Sequence, residues 1–439
     1  FAVACTEDDL ASLTNVGDKE VRVALSFGSK EHEEIRVTTR GTYELHHESM
    51  VRNMYVFLFA DGKKVYGRYF DDDDLDQTGN KEYWEVQNMS SDGSTDQTSG
   101  TLHICVPAVS GAGAEIVLIA NIDLDFMNMS EDRLGLVRSQ DELNALVVSL
   151  NQELPERNAG FFMMTGSRSG VSIYEDGSIT VPGGKIMLER LDAKVEVNVR
   201  VNPTEQTNNQ RVEDFTPESW QVINLPNSSL LMPSQSGLAS SYDIFFNTKP
   251  KTFETTENEL VNGNPTGGVL YGFSFYTLEN LKSDSKKKSV EGNYHNRDRR
   301  IKYTDDPEAE NYGKYNTEGD MWEYAPEQAT YMIIKGELKM LVDPGLTTEQ
   351  HLVADVTYVV HLGDFASDKD NYDIVRNTHY KYTINIKGVD NIEVEVETSN
   401  DGTDGVTENQ SGAMGNVYSV EEEVYTFDAH YGQRVYTFS

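Results

Sequence analysis

Apolar residues along this chain recur mostly at every second position, the period of a strand with one buried face. Val21, Val23, Leu25 and Phe27 alternate with Arg22, Ala24 and Ser26 and stop at Gly28. Met54–Ala60 is apolar almost throughout, which predicts a strand buried on both faces. Asp61-Gly62 then predicts a tight hairpin into residues 64–68. Residues 101–106 and 115–121 read as further strands, and 28–50 as a polar, turn-rich loop carrying Arg36 and Arg40. One helix is predicted: Ser139 can cap it with Glu142 three residues on, Leu143, Leu146, Val147 and Leu150 fall at helical spacing, and Pro155 lies beyond its end. Residues 160–166 and a strand pair over 171–181, turning at Asp176-Gly177, close this half.

The second half opens at Lys185. Residues 187–199 read as a short turn passing into the alternation of Val195, Val197 and Val199. Trp220 and Val222 lead to Leu225-Pro226, and residues 329–341, 352–362 and 380–397 alternate over long runs. Between them, 282–320 is polar and holds Lys286, Lys287, Lys288, Arg297, Arg299 and Arg300, which predicts a large exposed loop. Residues 398–415 are rich in Ser, Asn, Asp and Gly and read as a linker to a last extended segment over 424–438. The two halves share a style but no strict repeat. The fold class expected is all-β with minor helix, two antiparallel β-sandwiches in tandem. The expected divisions are a tether at 1–17, domains at 18–184 and 185–400, and a linker with extended segment at 401–439.

Charge narrows the partners. With 73 acidic and 37 basic residues, the 439-residue chain carries a net charge of −36, which argues against nucleic acid and against an anionic lipid surface. Cys5 and Cys105 make no disulfide framework, and the nine scattered His complete no zinc site. No apolar run approaches the ~20 residues that span a bilayer.

Enzyme motifs fail in turn, so neither a catalytic residue nor a cofactor is expected. There is no phosphate-binding G-x-x-x-x-G-K-[ST] loop, and Gly111-Ala112-Gly113-Ala114 is no dinucleotide fingerprint. The serines of Gly166-Ser167-Arg168-Ser169-Gly170 are wrongly spaced for a nucleophile elbow. Asp72, Asp74 and Asp76 have calcium-loop spacing, but Gln77 replaces the turn glycine and Tyr83 the bidentate Glu. A solvated acidic loop is the simpler reading, as plain exposure is for His46-His47. His361 and His379 read as packed strand residues, and Cys105 as an inert strand thiol. Paired carboxylates are too numerous for any one pair to be singled out.

The first residues read like the end of a bacterial lipoprotein signal. Small residues precede Cys5, the expected lipidation site, although Ala2 stands where Leu is usual. Thr6-Glu7-Asp8-Asp9 behind it resembles the surface-export signal of Bacteroidetes lipoproteins. Several segments, in order, resemble the fimbrillins, the type V pilus subunits of Bacteroidales. They are residues 21–27, the arginine-bearing loop, the 54–62 strand-turn, Met164-Thr165-Gly166 (with Met163 where proline is common), Leu188–Val195 written Leu-Glu-Arg-Leu-Asp-Ala-Lys-Val, Trp220 to Pro226, and Arg376 to Tyr382 running into Ile384, Ile386 and Gly388-Val389-Asp390.

The resemblance implies two transthyretin-like sandwiches and a cell-surface or outer-membrane fimbrial location, held to the membrane only through the lipid anchor. It also implies an order of events. An arginine-specific protease cuts after the first strand, that strand leaves, and another pilus subunit's strand fills the groove. On this sequence Arg40-Gly41 is the first candidate for cleavage, with Arg36 and then Arg52 as alternatives, while Arg22 lies inside the strand. Val21, Val23, Leu25 and Phe27 would be the plug. Tyr425, Phe427, Ala429 and Tyr431 would be the face of a donor strand, unless 424–438 pairs within its own domain. Stalk, tip or anchor position stays open, as does a host or bacterial surface ligand. The rival class is a surface glycan-binding lipoprotein, which would need Trp84, Trp220 or Trp322 as an exposed platform.

Overall fold

The structure, a computed structural model, describes residues 16–29, 48–86, 98–109, 113–124, 127–150, 162–201, 206–207, 209–233, 244–255, 260–261, 264–265, 270–292, 294–304, 308, 321–366, 368–389, 391–400, 403–411, 413–418 and 424–428. The chain divides into two compact units, Phe1–Asp192 with Asn227–Tyr242, and Ala193–Pro226 with Asp243–Ser439. Both are built of strands.

The first unit holds β1 (Val16–Ser29), β2 (Met54–Ala60), β3 (Lys63–Phe70), β4 (Tyr83–Val86), β5 (Ser99–Val109), β6 (Ala114–Ala120), β7 (Val147–Ser149), β8 (Met164–Ser169), β9 (Ser172–Ile173), β10 (Ile179–Thr180) and β11 (Ile186–Arg190). Their order is β10-β9-β5-β1-β11-β8-β6-β2-β3, with β4 on β5. The β5–β1 side and the β8–β6–β2 side bury their inner residues in one core, where Val23, Leu25 and Ile104 meet Val56, Leu58, Ile116 and Leu118. β2 and β6 are buried at every position, β2 as an all-apolar run requires and β6 with Glu115 as its one polar residue. The Asp61-Gly62 turn has φ of 48° and 76°, the left-handed region that this pair tolerates.

Two short helices line the β3 edge, α1 (Glu131–Gly135) and α2 (Gln140–Asn144). The Lys64 amide donates to the Arg138 carbonyl and the Gln140 amide to the Gly62 carbonyl. The Ser139 cap is real: its hydroxyl accepts from the Glu142 amide at 3.2 Å. The helix it starts is shorter than predicted, however. Val147 belongs to β7, which pairs with Ser228–Leu230 of the returning segment. Two consecutive β-branched residues with a waiting strand partner outweigh the helical spacing.

The second unit follows with β12 (Asp192–Val201), β13 (Gln206–Thr207), β14 (Gln210–Ile223) and β15 (Leu225–Pro226). β16 (Ser228–Leu230) is the partner of β7 in the first unit. Then come β17 (Phe245–Phe246), β18 (Glu254–Thr255), β19 (Leu260–Val261), β20 (Asn264–Pro265), β21 (Leu270–Leu278), β22 (Tyr331–Val342), β23 (Gln350–His361), β24 (His379–Gly388), β25 (Asn391–Asn400), β26 (Thr403–Ser411), β27 (Ala413–Tyr418) and β28 (Val424–Asp428). Two six-stranded sheets, β18-β21-β12-β24-β25-β26 and β13-β14-β22-β23-β27-β28, enclose a core that includes Val195, Val197, Trp220, Phe273, Ile334, Tyr358 and Tyr382.

Several expectations need correction. The sheets are mixed rather than purely antiparallel. β1 runs parallel to β11, and β12 parallel to β24, because each unit sets its first strand beside one from its far end. Residues 187–190 are strand, not turn. The first unit keeps β11 and ends after Asp192, beyond the expected boundary at 184, and residues 227–242 return to it. The supposed 398–415 linker contains β26 and β27, which add to β25 and β23. Backbone pairing at a sheet edge needs no apolar alternation, so a polar edge strand looks like linker in sequence. Finally, 282–320 is not simply a solvated loop: Lys282, Arg297, Asp298 and Arg300 are all buried.

Candidate functional site

The site follows from β1 and its neighbours. Val21, Val23, Leu25 and Phe27 all point into the first core and are 6%, 2%, 1% and 0% exposed, whereas Arg22 and Ala24 face out. β1 pairs antiparallel with β5 from Glu20 to Gly28, placing Val21 opposite Val106, Val23 opposite Ile104, Leu25 opposite Leu102 and Phe27 opposite Gly100. On its other side only Phe27, Gly28 and Ser29 are paired, to Ile186, Met187 and Leu188 of β11. The strand is therefore bonded along one edge and clamped at one end.

The second unit supplies an internal contrast. β12, its opening strand, pairs with β24 over eight consecutive residues, from Lys194 to Val201, and lies between β21 and β24. Both strands lie inside a sheet, β1 between β5 and β11, but the join from β1 to β11 is three residues long where the join from β12 to β24 is eight.

The clamped end is built around Phe27. A side chain at Gly100 would come within 2.2 Å of the Glu85 carbonyl oxygen and 2.8 Å of the Phe27 ring, so only glycine leaves room. The Trp84 ring stands 6.4 Å from that of Phe27 and is fixed by its indole N–H donating to the Asp71 carbonyl at 2.8 Å. Gly100 does not stand out in the sequence, and Trp84 does so only as a candidate for an exposed platform, whereas it is fully buried. The signal available was a glycine at the head of the 101–106 alternation.

Outside, contacts are light. Glu20 pairs with Lys81 at 3.0 Å, both well exposed, and the Arg22 guanidinium lies 5.4 Å from the centre of the Tyr83 ring. Such pairs contribute little, so β1 is held by its apolar face and its ladder to β5.

The chain beyond β1 is anchored at both ends of residues 30–47. The Ser29 amide donates to the Thr98 carbonyl at 2.8 Å. At the other end, Glu48 and Ser49 are buried against Arg190, and Val51 is fully buried. Arg36, Arg40 and Gly41 fall in 30–47, outside the described residues, as does Cys5. Arg52 is exposed, but its amide donates to the Asn121 side chain at 2.9 Å, so this peptide is tied down. Arg22, also exposed, has its backbone in the β1–β5 ladder.

Of the candidate donor face, Tyr425 and Phe427 lie in β28, which pairs with β27 at the edge of the second unit, while Ala429 and Tyr431 lie outside the described residues. Trp84, Trp220 and Trp322 are 0%, 3% and 1% exposed, so tryptophan builds no open platform. His361 is fully buried and its Nδ1 lies 2.6 Å from Asp298. His379 is buried beside Glu196, and burial lowers its pKa. Asp74 is paired with Arg68 at 2.7 Å, which turns one carboxylate of the acidic loop inward. Among the described residues no group of three or more His, Cys, Asp or Glu is arranged to hold a metal ion.

Cys105 lies opposite Arg22 in the ladder and is 7% exposed, with its thiol pKa raised first by burial. A raised pKa and a covered sulfur make a slow nucleophile. In the intact chain Cys105 is expected to resist iodoacetamide at neutral pH. Loss of β1 should speed its alkylation by about tenfold or more, read by peptide mass mapping, which separates it from Cys5. An unchanged rate after β1 is gone would show that β1 does not shelter it.

The signature of a family described as a domain of unknown function (DUF4906) matches residues 275–384, inside the second unit. None of the curated proteins matches the chain in sequence. Among solved structures it is similar to a candidate cell adhesion protein from Parabacteroides distasonis ATCC 8503, at 13% identity and a TM-score of 0.47 over 90% of this chain and 97% of that one. It is also similar to a fimbrilin from Porphyromonas gingivalis W83, at 16% identity and a TM-score of 0.41 over 85% and 91%. A third is a fimbrial assembly protein from Parabacteroides distasonis ATCC 8503, at 13% identity and a TM-score of 0.38 over 89% and 99%.

Proposed function

We propose that this chain is a structural or adhesive subunit of a bacterial surface fibre, non-enzymatic, whose first unit is completed by a strand that another subunit can replace. One observation carries the reading. Four alternate apolar side chains of β1 fill a core, one edge is bonded along its length to β5, and only three residues are paired with β11, which supports a ribbon that can be exchanged. Its removal would expose the β5 edge above an apolar slot, an arrangement that recruits another strand. The strand leads directly into residues 30–47, where Arg36 and Arg40 stand.

In this reading the chain reaches the cell surface as a lipoprotein acylated at Cys5. An arginine-specific protease then cuts at Arg40-Gly41 or Arg36. The cut frees β1 together with the lipid anchor, and the groove takes a strand from a neighbouring subunit. The C-terminal segment around Tyr425 and Phe427 is a candidate donor; it would first have to leave β27. The burial of all three tryptophans favours this reading over glycan binding.

Limited digestion tests it. An arginine-specific protease should cut first within 30–47, and N-terminal sequencing of the fragment should begin after Arg36 or Arg40. The nicked chain should stay folded with β1 in place, and excess peptide of the 16–29 sequence should exchange into it. First cuts at Arg52, Arg133 or the 297–300 arginines, with 30–47 resistant, would falsify the processing step.

A further inference from the structure

On the strand-replacement reading, we infer that the groove selects its incoming strand by a single aromatic side chain at the Phe27 position, and that this chain's own C-terminal segment is a poor match for it. The groove works as a ruler whose graduations are the β5 residues. Opposite Val21, Val23 and Leu25 stand Val106, Ile104 and Leu102, all buried, so each of those positions shares its width with a branched side chain. Opposite Phe27 stands Gly100, which contributes no side chain. The volume missing from β5 is the volume of the Phe27 ring, and the Glu85 carbonyl behind Gly100 closes the floor. Trp84, fully buried and tied to Asp71, forms the wall.

Phe27 is also the one core-facing residue of β1 paired on both sides, to Gly100 and to Ile186. A ring there is fixed by two backbones at once. An alanine there would leave a pocket walled by backbone and a pinned indole, which cannot collapse to fill it. At Val21, by contrast, the strand is held on one edge only and the residue is 6% exposed. The ligand that fits is an extended strand with modest branched residues at three alternate positions and a phenyl-sized ring at the fourth.

The C-terminal sequence departs from that pattern. Its alternate residues are Tyr425, Phe427, Ala429 and Tyr431. Laid along β5 in the direction of β1, they put Tyr425 at the Val21 position and Phe427 at the Val23 position. Laid the other way, they put Tyr431 at the Val21 position. In either direction a ring must enter the narrow part opposite Val106, and overpacking a filled site is unfavourable. The strand that fits therefore resembles β1 rather than residues 424–431 of a second copy.

Competition in the intact nicked chain tests this. The full chain is cut within 30–47, β1 is loosened in mild denaturant, and a labelled peptide of residues 16–29 is exchanged in. Unlabelled peptides then compete: the parent, Phe27→Ala, Val21→Ala, and residues 424–431. The Phe27→Ala peptide is expected to compete at least about a hundredfold more weakly than the parent, and Val21→Ala only about tenfold more weakly. The 424–431 peptide should also fall at least about a hundredfold below the parent. If Phe27→Ala or 424–431 competes as well as the parent, the selection rule is wrong while strand replacement stands. If the labelled parent peptide never enters, strand replacement itself is wrong and the rule goes with it.

Discussion

A chain lacking residues 1–29 is expected to keep its second unit folded and to lose the first. Four buried side chains leave with β1, and at ~1.5–3 kcal/mol each they represent about 6–12 kcal/mol as an upper figure. The β5 ladder from Glu20 to Gly28 is lost with them. A whole domain is stable by only about 5–15 kcal/mol, so the loss is comparable to everything the first unit has. The measurement is calorimetry with tryptophan emission. Trp84 lies in the first unit and should move to a solvated, red-shifted emission, whereas Trp220 and Trp322, buried in the second, should not. Added 16–29 peptide should restore the first transition, with a midpoint that rises with peptide concentration by mass action. A first unit that melts normally without β1 would mean that the strand is dispensable trim. The same chain cut only within 30–47 should melt almost as the intact one does, because β1 stays where it was. Those two outcomes together define a plug: dispensable covalently, indispensable sterically.

β1 was legible in the sequence because its period is strict. Val21, Val23, Leu25 and Phe27 alternate without a break, and one buried face forces that pattern. The same holds for Met54–Ala60 and the Asp61-Gly62 turn. The partner of β1 was not legible. Register between β1 and β5 places Gly100 under Phe27, and register is a property of two segments that no single-segment period contains. No strand is expected at β21, although Phe273 and Phe275 are buried at its alternate positions. β26 escapes the pattern for a complementary reason: it ends its sheet, and an edge strand is held by its backbone ladder, so its sequence need not alternate. Periodicity reports burial, and whatever is ordered without burying one face is invisible to it.

Arg297→Met is expected to lower the melting midpoint of the second unit by on the order of 10 °C, although the composition of 282–320 is that of a solvated loop. Arg297 is 1% exposed. Its guanidinium donates to the carbonyls of Lys369 and Leu362, at 2.5 and 3.0 Å, and lies over the rings of Phe365 and Tyr372, 4.6 and 4.0 Å from their centres. Next to it the Asp298 carboxylate accepts from the His361 amide at 2.7 Å and meets the imidazole Nδ1 at 2.6 Å. One arginine thus ties the 294–298 turn to the end of β23 and to the 362–372 loop. Methionine keeps the apolar stem but leaves two buried acceptors unpaired, at about 1–3 kcal/mol each, and forfeits the cation–π contacts, worth about 1 kcal/mol or more when desolvated. A total near 4 kcal/mol, at ~2–4 °C per kcal/mol for a unit of this size, gives the stated shift. Lys286→Ala is the control, since Lys286 sits in the same polar stretch and is only partly buried. Equal, small effects for both substitutions would return 282–320 to the status of a solvated loop. A large effect for Arg297 alone identifies a buried cationic keystone within residues 275–384, the stretch that the DUF4906 signature matches. The buried cation of the second unit then has a structural role, tying the 294–298 turn to the end of β23.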